Sequence, residues 1–359
     1  MIKIQNIFVV FLIAFAAIIF VFQKEIIDFL NLYFQQNSFF YFPIESPSFV
    51  SGLFVGDVML SRGVAYQIEK NNDLDFPFQN IKSLLLKNDF VFGNLETPII
   101  DGRKIKSGEM ILRADEKMVP ILKKFNFSIL SLANNHLLDF GVKGLIRTIE
   151  LLNAFDINYV GAGKNESEAY DFKIIEKNGI KFAFLAQNGI DVIPINHCAQ
   201  ENKSGSACLN FEKLQEKIKT AKQLAHYVIV YLHAGNEYTY QPNERQIKFA
   251  YTAIDAGADL IIGHHPHIIQ SIEKYKNGYI FYSLGNFVFD QMWSDETREA
   301  IAVRIIFSPS AIKTIQIYPI LIENYSQPKI INAITEPNHF NNIVQKLNLP
   351  DNKFVLIQQ

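Results

Sequence analysis

The segment Leu260-Ile-Ile-Gly-His-His-Pro-His267 decides the fold interpretation, because a short apolar strand runs directly into three imidazoles. Three histidines within four positions are typical of a metal site, since neutral imidazole is a common ligand of divalent first-row metals. In an extended backbone alternate side chains share a face, so we expect His265 and His267 to point into one pocket and His264 to face away. The segment predicts a metal site at the carboxyl end of a strand.

The same order, an apolar strand followed by side chains of the metal-ligand type, recurs at four earlier positions. These clusters are Gly56-Asp57, Asn94-Leu-Glu96, Asn134-Asn-His136 with Asp139, and His233-Ala-Gly-Asn-Glu237. Strand ends in an α/β sheet bring distant residues to one edge, and Gly56 is expected to let the backbone approach a ligand. Taken singly, each cluster also fits a polar turn or a hydrogen-bonded histidine. Taken together, they predict one metal-dependent site.

The third cluster carries the clearest indication of acid/base chemistry. Asp139 lies three residues after His136 and can accept the N–H of its imidazole, which orients the ring as a ligating or catalytic histidine requires. Further along, Asn286 follows another strand and could line the pocket, although an ordinary turn fits equally well. Residues 290–298 hold Trp293 and are either a lid or a solvated loop.

Composition excludes one large class of partners. The chain has 359 residues and a formal net charge of −2 at pH 7. Binding to a phosphate backbone depends on clustered basic residues, and the short runs Lys104-Ile-Lys106 and Lys123-Lys124 are too small to provide them. We therefore expect no nucleic-acid partner.

An apolar segment near the N-terminus predicts membrane insertion. Residues 7–22 contain no polar side chain, and as a helix they would cover ~24 Å, slightly less than a hydrocarbon core of ~30 Å. Lys3 and Lys24 can extend to the lipid headgroups and make up the difference. We expect residues 1–24 to be an uncleaved single-pass anchor, with the bulk of the chain extracytoplasmic. A cleaved signal ending at Ala14-Phe-Ala16 and a buried core helix are the alternatives.

The two cysteines, Cys198 and Cys208, lie close together in a polar stretch. Such a pair indicates a disulfide across one surface loop in an oxidising compartment, which agrees with an extracytoplasmic location. Two unrelated thiols are the alternative. A thiolate metal site is not expected, because the spacing is too long for the usual zinc motif.

Alternating strand and helix patterns predict an α/β domain over residues 49–323. Residues 25–48 are interpreted as a membrane-proximal linker, and the polar residues 324–359 as an appended segment. The end of the domain is rich in strands. Periodicity alone does not choose between one central sheet and two packed sheets.

Two short signals predict local structure. Asn178-Gly179 predicts a tight type I′ turn in a β-hairpin. Asn243 and Gly257 predict the start and the end of a helix over residues 243–256.

The residues and the order of these clusters resemble the motifs of one known family. The matching motifs are Gly56-Asp57-Val-Met, Asn94-Leu-Glu96-Thr-Pro, Leu132-Ala-Asn-Asn-His136-x-x-Asp-x-Gly141, His233-x-Gly-x-Glu237-Tyr, Gly263-His-His-Pro-His267 and Ser283-Leu-Gly-Asn-Phe287. They resemble the CapA family of capsule and poly-γ-glutamate synthesis proteins, in the calcineurin-like metallophosphatase superfamily. The likeness runs from about residue 49 to residue 323.

The resemblance implies a four-layer α/β/β/α sandwich of the metallo-dependent phosphatase type, with two divalent metal ions (manganese, iron or zinc) at the strand ends. The implied metal ligands are Asp57, Glu96, Asn135, His233, His265 and His267. The implied catalytic acid/base pair is His136 with Asp139. The residues expected to contact the substrate are Asn94, Asn134, Glu237, His264 and Asn286. Two metals in such a site polarise a phosphoryl or acyl group.

Two departures from the metallophosphatase pattern bear on activity. Those enzymes carry Asp-x-His at the first motif, where this chain has Asp57-Val-Met59, and Gly-Asp-x-x-Asp at the second, where it has Gly93-Asn-Leu-Glu96. We expect a membrane-anchored, extracytoplasmic, metal-dependent hydrolase or transferase in capsule or poly-γ-glutamate biosynthesis, export or attachment. Its expected partners are the cell-envelope polymer as substrate and membrane synthase subunits. A non-catalytic accessory subunit of a polymer-synthase complex is the alternative, and a soluble metallophosphatase is a third.

Overall fold

The computed structural model describes residues 23–29, residue 32 and residues 49–358. Residues 23–29 are helical. None of the helices in these described parts of the chain is long and apolar enough to cross a membrane. Residues 1–22 of the predicted anchor lie outside the described residues.

Residues 49–358 alternate between strands and helices before ending in a strand-rich region. In chain order the strands are β1 Val50–Val58, β2 Phe90–Leu95, β3 Phe127–Ser131, β4 Asn158–Val160, β5 Ala162–Gly163, β6 Lys173–Lys177, β7 Ile180–Asn188, β8 Gly205–Ser206, β9 Tyr227–His233, β10 Leu260–His264, β11 Ile272–Tyr275, β12 Gly278–Phe281, β13 Asn286–Val288, β14 Glu299–Phe307, β15 Ile312–Glu323, β16 Gln327–Ile330 and β17 Phe354–Leu356. The helices are α1 Arg62–Asn71, α2 Lys82–Leu86, α3 Met118–Lys124, α4 Gly141–Ala154, α5 Glu166–Ala169, α6 Phe211–Leu224, α7 Glu244–Ala256, α8 Asp295–Arg298 and α9 Pro337–Lys346, with 3₁₀ turns at Phe76–Ile81 and Ile195–His197.

The strands form two large sheets and a small ribbon. The first sheet has the order β16-β15-β14-β1-β2-β3-β4, with β13 beside β1 and β17 beside β15. The second sheet has the order β11-β12-β10-β9-β7-β6, and β5 pairs with β8 in the ribbon. Strands β1 to β4 run parallel in the first sheet, and β7, β9, β10 and β12 run parallel in the second. Parallel strands bring their carboxyl ends to one edge, where binding sites form.

Side chains of the central strands alternate between apolar layers. On β7, Phe182 and Phe184 lie between the sheets, whereas Ala183 packs with α6 and α7. On β1, Phe54 lies between the sheets and Leu53 packs with α3 and α4. Burial on both faces explains why these strands are almost continuously apolar. The packing order is helix, sheet, sheet, helix, so this mixed α/β fold has two packed sheets.

Both local predictions are confirmed. Asn178 and Gly179 have φ values of 48° and 76° in the turn between β6 and β7, as a type I′ turn requires. Asn243 caps α7 by accepting a hydrogen bond from the N–H of Gln246. Gly257 ends that helix with a left-handed φ of 116°.

The predicted pairing of the two cysteines is also confirmed. Cys198 and Cys208 form a disulfide. Cys208 forms a backbone bridge with Asn188 at the end of β7. The disulfide loop is thereby tied to the carboxyl edge of the second sheet.

The C-terminal segment differs from the prediction of an appended tail over residues 324–359. Strand β16 pairs antiparallel with β15, and β17 pairs parallel with it. Helix α9 buries Phe340 and Ile343 in the layer between the sheets. Residues 324–358 therefore complete the fold. Their strands are short and lie among polar residues, so they produce no periodic pattern to detect.

Gly56 permits a close backbone approach, but to the chain itself and not to a ligand. A Cβ atom added at Gly56 would lie 1.9 Å from the carbonyl oxygen of Gly285. This closeness lets the N–H of Asp57 donate to Gly285, and it places Asn286 of β13 in register with Asp57. Gly56 therefore helps to join the last cluster of the sequence to the first.

Candidate metal centre

The predicted ligand clusters converge where the carboxyl ends of strands from the two sheets meet. Asp57 lies on β1, Glu96 follows β2 and His233 ends β9. One ligand atom from each of these three side chains lies within 4.8 Å of the others, and all three side chains are buried. Two carboxylates and an imidazole are a suitable donor set for a divalent first-row metal.

Asn94 holds the two carboxylates in place. Its side-chain nitrogen donates to Asp57 Oδ1 at 2.8 Å and to Glu96 Oε2 at 3.3 Å. Its oxygen accepts a hydrogen bond from the side chain of Asn134 at 3.1 Å. Asn94 and Asn134, both predicted to contact substrate, are buried beside the predicted ligands and bonded to each other.

The other predicted ligands surround this core. His233 Nε2 lies 2.9 Å from Asn135 Oδ1. The ring of His265 lies 4.8 Å from that of His233 and 6.0 Å from that of His267. His267 approaches both carboxylates, with Nδ1 3.5 Å from Asp57 Oδ2 and Nε2 3.9 Å from Glu96 Oε1. The structure thus brings all six predicted ligands together.

The histidine segment is not extended after β10. His265 and His267 have φ values of 97° and 58°, in the left-handed region that residues other than glycine rarely occupy. The prediction that His264 faces away is wrong, because His264 is the last residue of β10 and its ring stacks on Tyr231, in the layer between the sheets. Its Nδ1 lies 3.2 Å from Asp57 Oδ1, and its side chain is 1% exposed.

The residues present fit a cation. Asp57 Oδ2, Glu96 Oε1 and His265 Nδ1 are buried and have no hydrogen-bond partner among the described residues. Leaving such atoms buried and unpaired costs free energy. One cation can satisfy carboxylate oxygens and an imidazole nitrogen at the same time.

The electrostatics agree with this donor set. Burial lowers the pKa of His233 well below its ordinary value, and the neighbouring His265 lowers it further. Burial, with a contribution from His267, lowers the pKa of His265 to about 3. Burial and the Asp57 carboxylate raise the pKa of Glu96. Burial alone would raise the pKa of Asp57, but the nearby imidazoles of His264 and His267 outweigh it and hold that pKa low. Neutral imidazoles are the form that binds metal.

His136 and Asp139, the predicted acid/base pair, are hydrogen-bonded to each other in the structure. His136 Nδ1 lies 2.7 Å from Asp139 Oδ2, and the two side chains are 16% and 14% exposed. Asp139 also accepts a hydrogen bond from the N–H of Leu112 at 2.6 Å. The N–H of His136 donates to Asn134 at 3.1 Å, which links the pair to the ligand cluster.

The remaining predicted residues differ in depth. Asn286 is buried, with Oδ1 2.9 Å from His267 Nδ1. Glu237 is exposed on the loop after β9, and its charge contributes to the raised pKa of Glu96. Tyr238 follows Glu237 and packs edge-on against Trp293, with both rings partly exposed. These two aromatic rings form the rim of the site, which we call the aromatic rim.

Arg62 is a site residue that sequence reasoning missed. Its guanidinium lies 2.6 Å from Asp290, whose second carboxylate oxygen accepts from the N–H of Gly63. Its Nε is buried without a partner among the described residues, and its charge opposes the rise in the pKa of Glu96. A cation shortly after the strand-end carboxylate Asp57, beside a glycine, is the signal that could have found it.

Arg62 also lines a cavity of about 840 Å³. Leu60, Ile68 and Met118 provide apolar wall, and Lys117 is an exposed cation at its edge. The volume falls within the range of small-molecule pockets, about 300–1,000 Å³.

Asn188 is the second residue that sequence reasoning missed. It ends β7 in register with His233. It is fully buried, and neither polar atom of its side chain has a partner among the described residues. An amide at the polar end of an apolar strand is the same pattern that identified Asn94, and Asp191 follows three residues later, so the signal was present in the sequence.

Comparisons with known proteins identify the family. Residues 52–291 match the family described as bacterial capsule synthesis protein PGA_cap. The chain is 35% identical over 288 residues to the capsule biosynthesis protein CapA of Bacillus anthracis, covering 78% of this chain and 69% of that protein. It is 34% identical over 308 residues to the PGA biosynthesis protein CapA of Bacillus subtilis, covering 82% and 80%. A solved structure from Staphylococcus aureus, provisionally named a 5′-nucleotidase, is similar at 15% identity and a TM-score of 0.49, over 77% of this chain and 55% of that one. The sequence matches confirm the resemblance, and the chain belongs to the PGA_cap family of bacterial capsule synthesis proteins.

Proposed function

We propose that this chain is a metal-dependent hydrolase or transferase that acts on a cell-envelope polymer in capsule or poly-γ-glutamate biosynthesis. The observation that carries the proposal is the convergence of Asp57, Glu96 and His233 within 4.8 Å. Beside this cluster, His136 and Asp139 form a hydrogen-bonded pair. A cation site next to an acid/base pair is suited to metal-assisted hydrolysis or group transfer.

The proposed metal site would hold two divalent ions at the strand ends. Its ligands would be Asp57, Glu96, Asn135, His233, His265 and His267. Carboxylate, amide and imidazole donors without thiolate suit manganese, iron or zinc. When bound, the metal would polarise a phosphoryl or acyl oxygen of the substrate.

His136 is the proposed proton carrier. Asp139 accepts the hydrogen bond at Nδ1, so Nε2 is the nitrogen that can take a proton from an attacking group or give one to a leaving group. The second bond from the N–H of Leu112 fixes the Asp139 carboxylate and therefore the direction of the imidazole ring.

The proposed substrate is an acidic polymer chain, bound in the 840 Å³ cavity beside Arg62. One relative is named for PGA biosynthesis, and an acidic polymer needs cationic contacts. Arg62 lines the cavity, and Lys106 and Lys117 are exposed at its edge. Guanidinium groups bind carboxylates and phosphates strongly, because their N–H donors match these anions in geometry.

Metal content and hydrolysis test the proposal together. The full-length chain is stripped with a chelator, reloaded with Mn²⁺ or Zn²⁺, and its metal content is measured by mass spectrometry. We expect about two ions per chain, and metal-dependent hydrolysis of either bis(p-nitrophenyl) phosphate or a γ-linked glutamate oligomer. If no metal binds and His265→Ala changes neither measurement, the proposal fails.

Arg62→Lys tests the assigned substrate contact. A lysine keeps the charge but loses the fork of N–H donors, so we expect the KM for the oligomer to rise about tenfold with kcat unchanged. Arg147→Lys, on the outer face of α4, is the matched control. Equal KM values for Arg62→Lys and the control would remove Arg62 from the substrate site.

A non-catalytic accessory subunit is the second candidate. Met59 stands where metallophosphatases have a ligand histidine, and its sulfur accepts a hydrogen bond from the N–H of Ser61 at 3.0 Å. Cells that carry His136→Ala distinguish the two functions. Normal polymer production would favour the accessory role, and loss of polymer with normal protein levels would favour catalysis.

We also propose that the protein is anchored in the membrane with residues 49–358 extracytoplasmic. The apolar residues 7–22 and the Cys198–Cys208 disulfide support this placement. Retention in membranes after alkaline extraction, together with protease sensitivity from the outer side, is the expected result. Recovery of the intact chain in the soluble fraction would contradict it.

A further inference from the structure

A chain of hydrogen bonds runs from the metal centre to the surface. It begins at His267, whose Nδ1 lies 2.9 Å from Asn286 Oδ1. Asn286 Nδ2 donates to Gln291 Oε1 at 3.0 Å, and Gln291 Nε2 donates to the hydroxyl of Tyr238 at 3.2 Å. Tyr238 packs edge-on against Trp293, with ring centroids 5.9 Å apart. The chain therefore connects a buried imidazole to the aromatic rim.

Burial gives this chain a defined direction. His267, Asn286 and Gln291 are at most 6% exposed, whereas Tyr238 is 43% exposed and Trp293 is 65% exposed. Asn286 must donate with its nitrogen, because the carbonyl oxygen of Thr297 on that side can only accept, so its oxygen accepts from His267. Gln291 therefore accepts from Asn286 with its oxygen and donates to Tyr238 with its nitrogen. Turning over one amide would leave two buried contacts unmatched, so the inner part of the chain has a single arrangement.

The same residues organise the loop that carries Trp293, residues 290–298. Asn286 Nδ2 also donates to the carbonyl oxygen of Thr297 at 2.9 Å. The hydroxyl of Thr297 donates to the carbonyl oxygen of Gln291 at 2.9 Å. Asn286 therefore holds both ends of the loop, and any change in its orientation reaches Trp293 by two routes.

We propose that Gln291 is a positioning residue that transmits the state of the metal centre to Tyr238 and Trp293. The inference rests on the metal centre of the proposed function. His267 donates through Nδ1 to Asn286, which leaves Nε2 as the nitrogen available to a metal. A ligating histidine is a stronger donor through its other ring nitrogen, so metal binding tightens the contact with Asn286 and orders the aromatic rim.

Fluorescence reads this coupling directly, because Trp293 is the only tryptophan of the chain. Metal-free full-length protein is titrated with Zn²⁺, a closed-shell ion without redox chemistry. Calorimetry gives the zinc affinity, and the emission of Trp293 reports the rim. We expect the emission of the wild-type protein to change in proportion to zinc occupancy.

Three variants separate transmission from binding. Tyr238→Phe removes only the hydroxyl, and Gln291→Met removes both hydrogen bonds at similar length, so we expect each to lose the zinc-dependent change in emission. Their zinc affinity should fall by less than about tenfold, because they stand one step beyond the partner of the ligand. Gln291→Glu should restore the response, since its oxygens can accept from both Asn286 and Tyr238. Tyr275→Phe, on β11, is the matched control and should respond like the wild type.

Each outcome has one meaning. An unchanged emission while calorimetry shows zinc binding overturns the inference and leaves the metal centre intact. A full response in Tyr238→Phe or Gln291→Met also overturns it, because the rim would then respond by another route. Absence of zinc binding in the wild type overturns the metal centre of the proposed function and this inference with it.

Discussion

The two sheets contribute different chemistry to the same site. The first sheet and its loops supply oxygen donors, and the second sheet supplies nitrogen donors. The oxygen donors are Asp57, Glu96 and Asn135, and the nitrogen donors are His233, His265 and His267. We call these two sets of donors the oxygen half and the nitrogen half of the site. The oxygen half also holds the acid/base pair of His136 and Asp139, whereas Tyr238 of the aromatic rim follows β9 in the nitrogen half.

Neither half alone is a complete metal site. In the oxygen half, burial and the crowding of Glu96 against the Asp57 carboxylate raise the pKa of Glu96. Burial lowers the pKa of His233 and of His265, which keeps these two imidazoles neutral. A cation bound between them would relieve the crowding of one half and use the lone pairs of the other. Metal binding should therefore depend on the packing of the two sheets against each other.

The largest expected effect comes from removing one ligand of each half. A structural zinc ion with four ligands gains about 10–16 kcal/mol on binding, which is roughly 3 kcal/mol for each ligand. On that scale Asp57→Ala or His233→Ala should each weaken metal binding by about 100-fold. The double variant should bind no metal in the micromolar range. Calorimetric titration with Zn²⁺ of the chelator-treated protein is the measurement.

Asp171→Asn, an exposed carboxylate far from the cluster, is the control and should bind zinc like the wild type. If His233→Ala retained full affinity, the nitrogen half would not be part of the site, and the comparison between the halves would have to be abandoned.

The next largest effect separates catalysis from binding within the oxygen half. His136→Ala removes the proposed proton carrier but none of the six proposed ligands. We expect the rate of the metal-loaded enzyme to fall by about 10²–10⁴-fold, the usual contribution of general acid–base catalysis. Zinc affinity should stay within about twofold of wild type. Steady-state hydrolysis and calorimetry are the paired measurements.

His226→Ala, an exposed histidine outside the site, is the matched control for this variant. A loss of metal affinity in His136→Ala equal to its loss of rate would show that His136 is a ligand, and the oxygen half would then contribute a nitrogen donor.

A smaller effect is expected where the first sheet orients a ligand of the second. Asn286 lies on β13, beside Asp57, and its oxygen accepts the hydrogen bond of His267. Asn286→Ala should weaken zinc binding by about 10–100-fold, because partners that orient a ligand typically contribute this much. Asn324→Ala, in the turn after β15, is the control. Wild-type affinity in Asn286→Ala would mean that the two halves act independently at this contact.

The oxygen half was largely predictable from local sequence. Asp57 and Glu96 each lie at the end of an apolar strand, and Asp139 follows His136 by three residues, so short local patterns were enough. The family resemblance then assigned them roles that short patterns leave open. The mixed α/β fold was predictable for the same reason, since its central strands and helices carry strong periodic signals.

The nitrogen half was less predictable, because its geometry depends on contacts between distant residues. His264 points towards Asp57, and the backbone leaves extended geometry at His265, a change that no local pattern predicts. The role of Gly56 depends on Gly285, which lies far along the chain. Asn188 was missed although Asp191 follows it by three residues, and the register with His233 places it at the site.

The smallest expected effect comes from replacing Asn188. Whether the replacement raises or lowers the stability distinguishes a functional role of Asn188 from a structural one. A buried amide with two unpartnered polar atoms costs free energy in the folded state, about 1–3 kcal/mol. Asn188→Leu should therefore raise the stability of the metal-free protein by about 1 kcal/mol, or about 2 °C in Tm. The same change should weaken substrate binding, since proteins retain unsatisfied groups chiefly where they are used.

The neighbouring Gln187 is a matched control, for which we expect the opposite change in stability. It is also a buried amide at the end of β7, but its oxygen accepts a hydrogen bond from the N–H of Asn210. Gln187→Leu leaves that N–H without a partner and should lower stability by about 1–3 kcal/mol. Thermal unfolding of both variants without metal is the measurement. If both variants lost stability, Asn188 would have a structural role, and the nitrogen half would end at His233 and the histidine segment.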